Sequence, residues 1–248
     1  MVSQTLVIMR KEWEDIKSTL FSYHNLHAGI WPILLFCVAF GIYEPLRIGP
    51  DWVQSPIMVF SLSVLVPFIV IGFISPYSFV GERTRGTLES LLAAPVSDQA
   101  ILFGKIGIAV LYGWGVTLIC MLLGFTNLFF SNSKFLLYPF SLVIPTLLLS
   151  LFFSLLVAIT GTSSSFYAKT YLEAQNNFGM SLFLPVVLPA FIISPFMPEA
   201  WKALLFQGVV QVGPINLLLA LMVLLIIIDG FLMVFALYRF HRKLLIFE

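Results

Sequence analysis

Apolar runs of membrane-spanning length alternate along this chain with short charged stretches, and the alternation predicts an all-α polytopic membrane protein. Within residues 1–22, Val2, Leu6, Met9, Trp13, Ile16 and Leu20 recur at steps of three and four. Arg10, Lys11, Glu12, Glu14, Asp15 and Lys17 are left for the other side. That spacing predicts an amphipathic helix lying in the membrane interface, and the charges exclude the apolar core of a signal peptide. Six spans are predicted after it: Ala28 to Tyr43, Pro56 to Val80, Gln99 to Phe130, Phe135 to Thr160, Phe178 to Met197 and Gly213 to Tyr238. All but the first reach the roughly 20 residues that a bilayer requires, so the first is expected to begin near Leu26.

Breaks in the pattern carry information of their own. Pro32 falls in a first turn, where its missing N–H is harmless, whereas Pro67 and Pro76 lie inside the second span and predict kinks. Gly104, Gly107, Gly113, Gly115 and Gly124 mark the third span as a close-packing helix. Lys105, near its cytoplasmic end, is expected to snorkel to the headgroups. Glu44 to Ser55 reads as a loop on the outer face, and residues 198–212 as a short interfacial or re-entrant helix. His24 and His27 lack a third ligand nearby, which argues for interfacial histidines over a metal site.

The most informative polar stretch is Gly81 to Ser97, GERTRGTLESLLAAPVS. Gly86 is expected to stop the preceding helix, and Thr87 to cap a new one through its side-chain oxygen. Glu89 suits the first turn, while Leu88, Leu91 and Leu92 share one face. Pro95 ends the helix, and Ser97 with Asp98 can cap the next. A short amphipathic helix between two spans follows. By pattern alone it reads equally as a plain loop helix resting on lipid headgroups.

Composition agrees with the membrane reading: 60% hydrophobic, 10% charged, with a mean hydropathy of +1.02. The chain reads as one transmembrane domain, 1–248. A net charge of +1 without a basic, aromatic-interleaved run gives no reason to expect nucleic acid as a partner. Cys37 and Cys120 both lie in apolar runs and read as small hydrophobes, not as a disulfide or metal pair. Ten of the thirteen Lys and Arg residues fall on one side if both termini are cytoplasmic; Arg47, Lys134 and Lys202 fall on the other. That places Gly81–Ser97 in the cytoplasm of a cell-membrane protein. Thr87-Leu88 stands where a phosphate loop needs Lys-Ser/Thr, and no His-Glu-x-x-His, Cys/His cluster or Gly-x-Ser-x-Gly elbow is present. The chain is therefore expected to be non-catalytic and to bind no cofactor or metal of its own. Asp229, ten residues before Arg239, lies near mid-membrane, where a carboxylate costs about 2.5–3.5 kcal/mol. It is a candidate either for the translocation route or for a helix lock to Thr117 or Thr146.

The order Glu82, Gly86-Thr87, Glu89, Leu91-Leu92, Pro95-Val96-Ser97 and Gly104-Lys105 resembles the loop between the second and third helices of ABC exporter membrane subunits, the type-2 permease family. In that family the loop holds a coupling helix pressed into the ATP-binding subunit. The resemblance implies that Glu82, Gly86, Thr87, Leu88, Glu89, Leu91, Leu92 and Pro95 contact such a subunit, which would hold ATP and magnesium. It also implies a second permease copy, homomeric or heteromeric, completing the route. Lys169, Glu173, Ala174 and Gln175 resemble the matching loop of sodium-exporter-like permeases and form a candidate second cytoplasmic contact. Spans poor in charge favour an amphipathic or lipid-like cargo, and this second resemblance favours sodium. An ion-gradient-driven secondary transporter is the alternative, although no internal repeat supports it.

Overall fold

A computed structural model describes residues 2–20, 33–49, 52, 61–132, 140–193 and 214–240. Among them there is no strand, and the order of elements is entirely helical. Helix α1 is Val2–Leu20. Residues 33–48 form α2, whose middle is the π-helical turn Ala39–Tyr43 and whose end is Glu44–Ile48. Residues 61–74 form α3, opening with the π-helical turn Ser61–Leu65 and continuing as Val66–Ile74. The remaining helices are α4 (Tyr77–Thr84), α5 (Leu88–Ala93), α6 (Asp98–Asn132), α7 (Phe140–Ser164), α8 (Tyr171–Ile193) and α9 (Pro214–Arg239).

Four helical stretches are long and apolar enough to cross a membrane: Ser61–Thr84, Asp98–Phe130, Val143–Ser164 and Leu218–Arg239. They correspond to the expected second, third, fourth and sixth spans. The beginning of the first span with Pro32, the pair His24 and His27, most of the loop to Ser55, the end of the fifth span and residues 198–212 lie outside the described residues.

The prolines shape the rods in two ways. Each π-helical turn ends two residues before a proline, Pro45 in one case and Pro67 in the other. A wider turn there accommodates a residue that lacks an N–H and whose ring crowds the preceding carbonyls. Helix α2 consequently runs through Glu44 to Ile48, where a loop was expected. At Pro76 the helix breaks instead, with a turn at Ser75–Pro76 between α3 and α4. The second polar loop is also shorter than Gly161 to Asn177, because α7 reaches Ser164 and α8 already starts at Tyr171.

Helix α6 is the mast of the fold, packing against α1, α2, α3 and α7. Its glycines permit the close approaches that the sequence predicted. A side chain at Gly104 would meet Ile8 at 2.6 Å, and one at Gly113 would meet Ile71 at 2.3 Å. Gly115 departs from that expectation and faces open space. Helix α7 closes on the break in the second span, where a Cβ at Gly161 would fall 1.7 Å from Ser75 Oγ. Helix α9 lies along α7, burying Leu218, Met222, Asp229 and Ala236 and exposing Val223, Ile227, Phe231 and Val234. Helix α1 buries Ile8, Glu12 and Ile16 against the rest of the chain and leaves Val2, Leu6 and Trp13 exposed. The buried side contains an acid because a buried cation lies opposite it.

Two alanine substitutions separate packing from helix propensity. Gly161→Ala has no room and should cost about 1–3 kcal/mol, read as a lower Tm of the purified protein. Gly115→Ala has room and should leave Tm unchanged or raise it. Equal shifts would contradict the close approach of α7 to the Ser75–Pro76 break.

Candidate functional site

The site forms where α4 ends, the chain turns through residues 85–87, and α5 leads into α6. Gly86 takes φ +69°, a left-handed conformation that favours glycine, and this reverses the chain after α4. The Thr87 N–H donates to the Glu82 carbonyl at 2.9 Å, which closes the turn. Thr87 precedes α5 as expected, but its side chain does not accept a capping hydrogen bond. Its backbone is helical (φ −97°, ψ −5°) instead of extended, and its hydroxyl donates to the Glu82 carboxylate, a charged and therefore stronger acceptor. Ser97 does cap its helix, accepting the Ala100 N–H at 3.3 Å.

Glu82 is 5% exposed and also accepts a hydrogen bond from the Lys11 ammonium of α1. Lys105 lies 3.7 Å from the same carboxylate. The Lys105 side chain has no exposed surface, so it does not snorkel. Its ammonium donates to Glu12 at 2.5 Å and to the Ser78 carbonyl at 2.8 Å, and it sits 5.0 Å from the centre of the Phe79 ring. Two lysines and two glutamates thus form a neutral cluster that joins α1, α4 and α6. Burying such charges is tolerable only when each is paired and hydrogen-bonded. Arg85 and Asp15, 3.3 Å apart and partly exposed, add a weaker link at the rim. Carboxylate oxygens of Glu12, Asp15 and Glu82 converge to within 4.8 Å, and the lysine and arginine side chains supply their counter-charge.

This cluster corrects how the stretch presents itself. Leu88, Leu91 and Leu92 are 5%, 7% and 4% exposed and belong to the chain's own core with Ile8, Phe79 and Ile101. They are therefore unavailable to a partner. The outward surface consists of Arg85, Gly86, Thr87, Glu89, Ser90, Ala93 and Pro95. The amide of Gln4 donates to the Pro95 carbonyl at 3.4 Å, so α1 also holds the far end of the turn.

Arg83 extends the site to the second polar loop. Its guanidinium donates to the carbonyls of Phe166 (3.0 Å) and Ala168, just past the end of α7. Beyond them the Thr170 hydroxyl accepts the Glu173 N–H at 3.2 Å, and the Glu173 carboxylate accepts the Lys169 N–H at 2.8 Å. This is a capping box displaced by one residue, and Thr-x-x-Glu before an apolar run is its visible signature. Lys169 is exposed and Gln175 half-buried, whereas Ala174 is buried beside Val80 and Ala168. Asp229 stands apart on the inner face of α9, 3% exposed, with neither carboxylate oxygen bonded to any described residue. The expected lock is not formed: the Thr117 hydroxyl donates to the Gly113 carbonyl at 3.1 Å, and no bond joins Asp229 to Thr146.

Lys105→Met should destabilise the protein by about 3–5 kcal/mol, since Glu12 would be left buried without its cation. Adding Glu12→Leu should recover part of that loss in a denaturation midpoint measured in detergent. Strictly additive losses would show that the pair does not interact.

Comparison with curated proteins gives no match. A family described as ABC-2 family transporter protein matches residues 17–172, from the end of α1 through the start of α8. The match covers more than half of the chain and contains Glu82, the α5 turn, Lys105 and the Arg83-linked loop. With its apolar helices and its pinned polar turn, the chain belongs to the ABC-2 family of transporter proteins.

Proposed function

We propose that this chain is the permease subunit of an ATP-driven exporter and that the outward face of residues 82–97 receives a separate ATP-binding subunit. The observation that carries this reading is the two-sidedness of the turn. One side is fastened to three helices through Glu82, Lys105, Glu12 and the buried leucines, and the other is exposed around Glu89, Ser90 and Ala93. A load applied to the exposed side passes into α4 and α6, the cytoplasmic ends of two spans. The uneven distribution of Lys and Arg supports a cell-membrane protein with this face and both termini in the cytoplasm. ATP and magnesium would sit in the partner, and a second permease copy would complete the route.

Arg83 fastens the segment that leads into α8, and the exposed Lys169 of that segment and Leu172 of α8 extend the proposed contact. Spans with so few charges fit an amphipathic or lipid-like cargo. The resemblance of the Lys169–Gln175 region to sodium-exporter-like permeases supports sodium as the other candidate.

Ser90→Trp alters the outward face and removes one exposed hydrogen bond, from the Ser90 hydroxyl to the Thr87 carbonyl. It should weaken recovery of a coexpressed ATP-binding subunit about tenfold, a loss of roughly 1.4 kcal/mol, with the permease's own Tm unchanged. Leu91→Asp places a carboxylate in the core and should lower that Tm even without the partner. Full assembly and ATPase stimulation by the Ser90→Trp subunit would overturn the proposed docking face.

A further inference from the structure

The chain has two cysteines, at positions 37 and 120, on two different helices. In the fold the α6 sulfur lies 3.6 Å from the α2 sulfur. The helices are tightly pressed there. A Cβ at Gly41 would meet the Cys120 carbonyl oxygen at 3.0 Å, and the Asn127 amide donates to the Ile42 carbonyl at 2.9 Å. The two sulfurs are thus already in contact, against a bonding distance of about 2.05 Å in a disulfide. We propose that Cys37 and Cys120 form a redox-responsive pair whose oxidation to a disulfide fastens α2 to α6 within the membrane.

Two features set the chemistry. Cys120 is fully buried and Cys37 is 8% exposed, so Cys37 is the thiol an oxidant reaches first. Both lie among apolar side chains, including Val116, Met121 and Leu62, which exclude ionic oxidants and admit a membrane-soluble hydroperoxide. Cys37 attacks the terminal peroxide oxygen, the O–O bond breaks, and the alcohol leaves, giving a sulfenic acid. The Cys120 thiol attacks that sulfur, the S–S bond forms, and the hydroxyl departs as water with the thiol proton. Two thiols are oxidised to one disulfide while the hydroperoxide is reduced to alcohol and water.

Position strengthens the case. Cys120 lies fifteen residues beyond Lys105 along α6, about 22 Å farther from the cytoplasmic turn. Under the proposed orientation the pair occupies the outer half of the membrane, nearer the oxidising compartment in which disulfides persist. Oxidation would staple α2 to α6, the helix that also packs against α1 and carries Lys105. The thiol chemistry itself does not depend on the proposed function.

The test uses the full chain in lipid vesicles treated with cumene hydroperoxide, then denatured and exposed to a maleimide-linked polyethylene glycol that adds mass at each free thiol. The reduced protein should take two tags and the oxidised protein none, and dithiothreitol should restore both. Cys120→Ser, which has no partner for the sulfenic acid, should show no dithiothreitol-reversible disulfide by intact mass. Two free thiols after oxidation would overturn the proposal. So would thiol loss with the same rate and products in Cys120→Ser, since that would show chemistry independent of pairing.

Discussion

An ammonium with no exposed surface must be neutralised where it stands, and Lys105 sets that requirement for the end of the bundle where α1, α4 and α6 meet. Glu12 reaches it from α1, Glu82 from the end of α4, and the Ser78 carbonyl completes its donors. Each partner brings a separate segment of chain to the same point. Beyond that convergence, Ile8 and Met9 pack α1 on the glycine-lined face of α6, and Gln4 and Asp15 tie it to the turn. The cluster is demanding because an unpaired member costs several kcal/mol. That same demand fixes the relative positions of α1, α4 and α6 more sharply than apolar packing, which tolerates sliding.

The polar turn is built on this fixed point. Glu82 accepts from Thr87, so the turn after Gly86 has one defined geometry, and α5 then lays its leucines into the core. Arg83, the next residue, faces the other way and fastens the segment after α7. One short stretch thus holds the two polar loops together while its remaining face stays exposed. An interaction surface of this kind is pre-organised, so binding loses little additional conformational freedom. For the proposed docking of a separate ATP-binding subunit, this fastening is a physical route by which force would pass into the spans.

Much of this was legible from residue types. Long apolar runs marked the spans, glycines marked α6 as a packing helix, and Gly86, Pro95 and Ser97 marked the limits of the turn. What was not legible depended on distant partners. Lys105 reads as a snorkelling residue until Glu12 is placed opposite it, 93 positions away in the chain. The stripe of Leu88, Leu91 and Leu92 states that one face is apolar and says nothing about which body covers it. Thr87 has the residue type of a cap, but a nearby carboxylate competes for its hydroxyl. Pro45 falls where a loop was expected and Pro67 reads as a kink, yet each follows a π-helical turn within a helix that continues. Thr170 and Glu173 formed a capping signature in plain view that the family-based reading overlooked.

Accessibility of the turn, measured with and without an ATP-binding subunit, bears most directly on the claim that its leucines face inward and its other side faces a partner. Single cysteines at Ser90 and Leu91, in a Cys37→Ala, Cys120→Ala background, would be challenged with a membrane-impermeant maleimide on inside-out vesicles. The account predicts rapid labelling at position 90 of the permease alone, protection there in the complex, and slow labelling at 91 in both states. Rapid labelling at 91 that the ATP-binding subunit suppresses, with 90 unaffected, would contradict it.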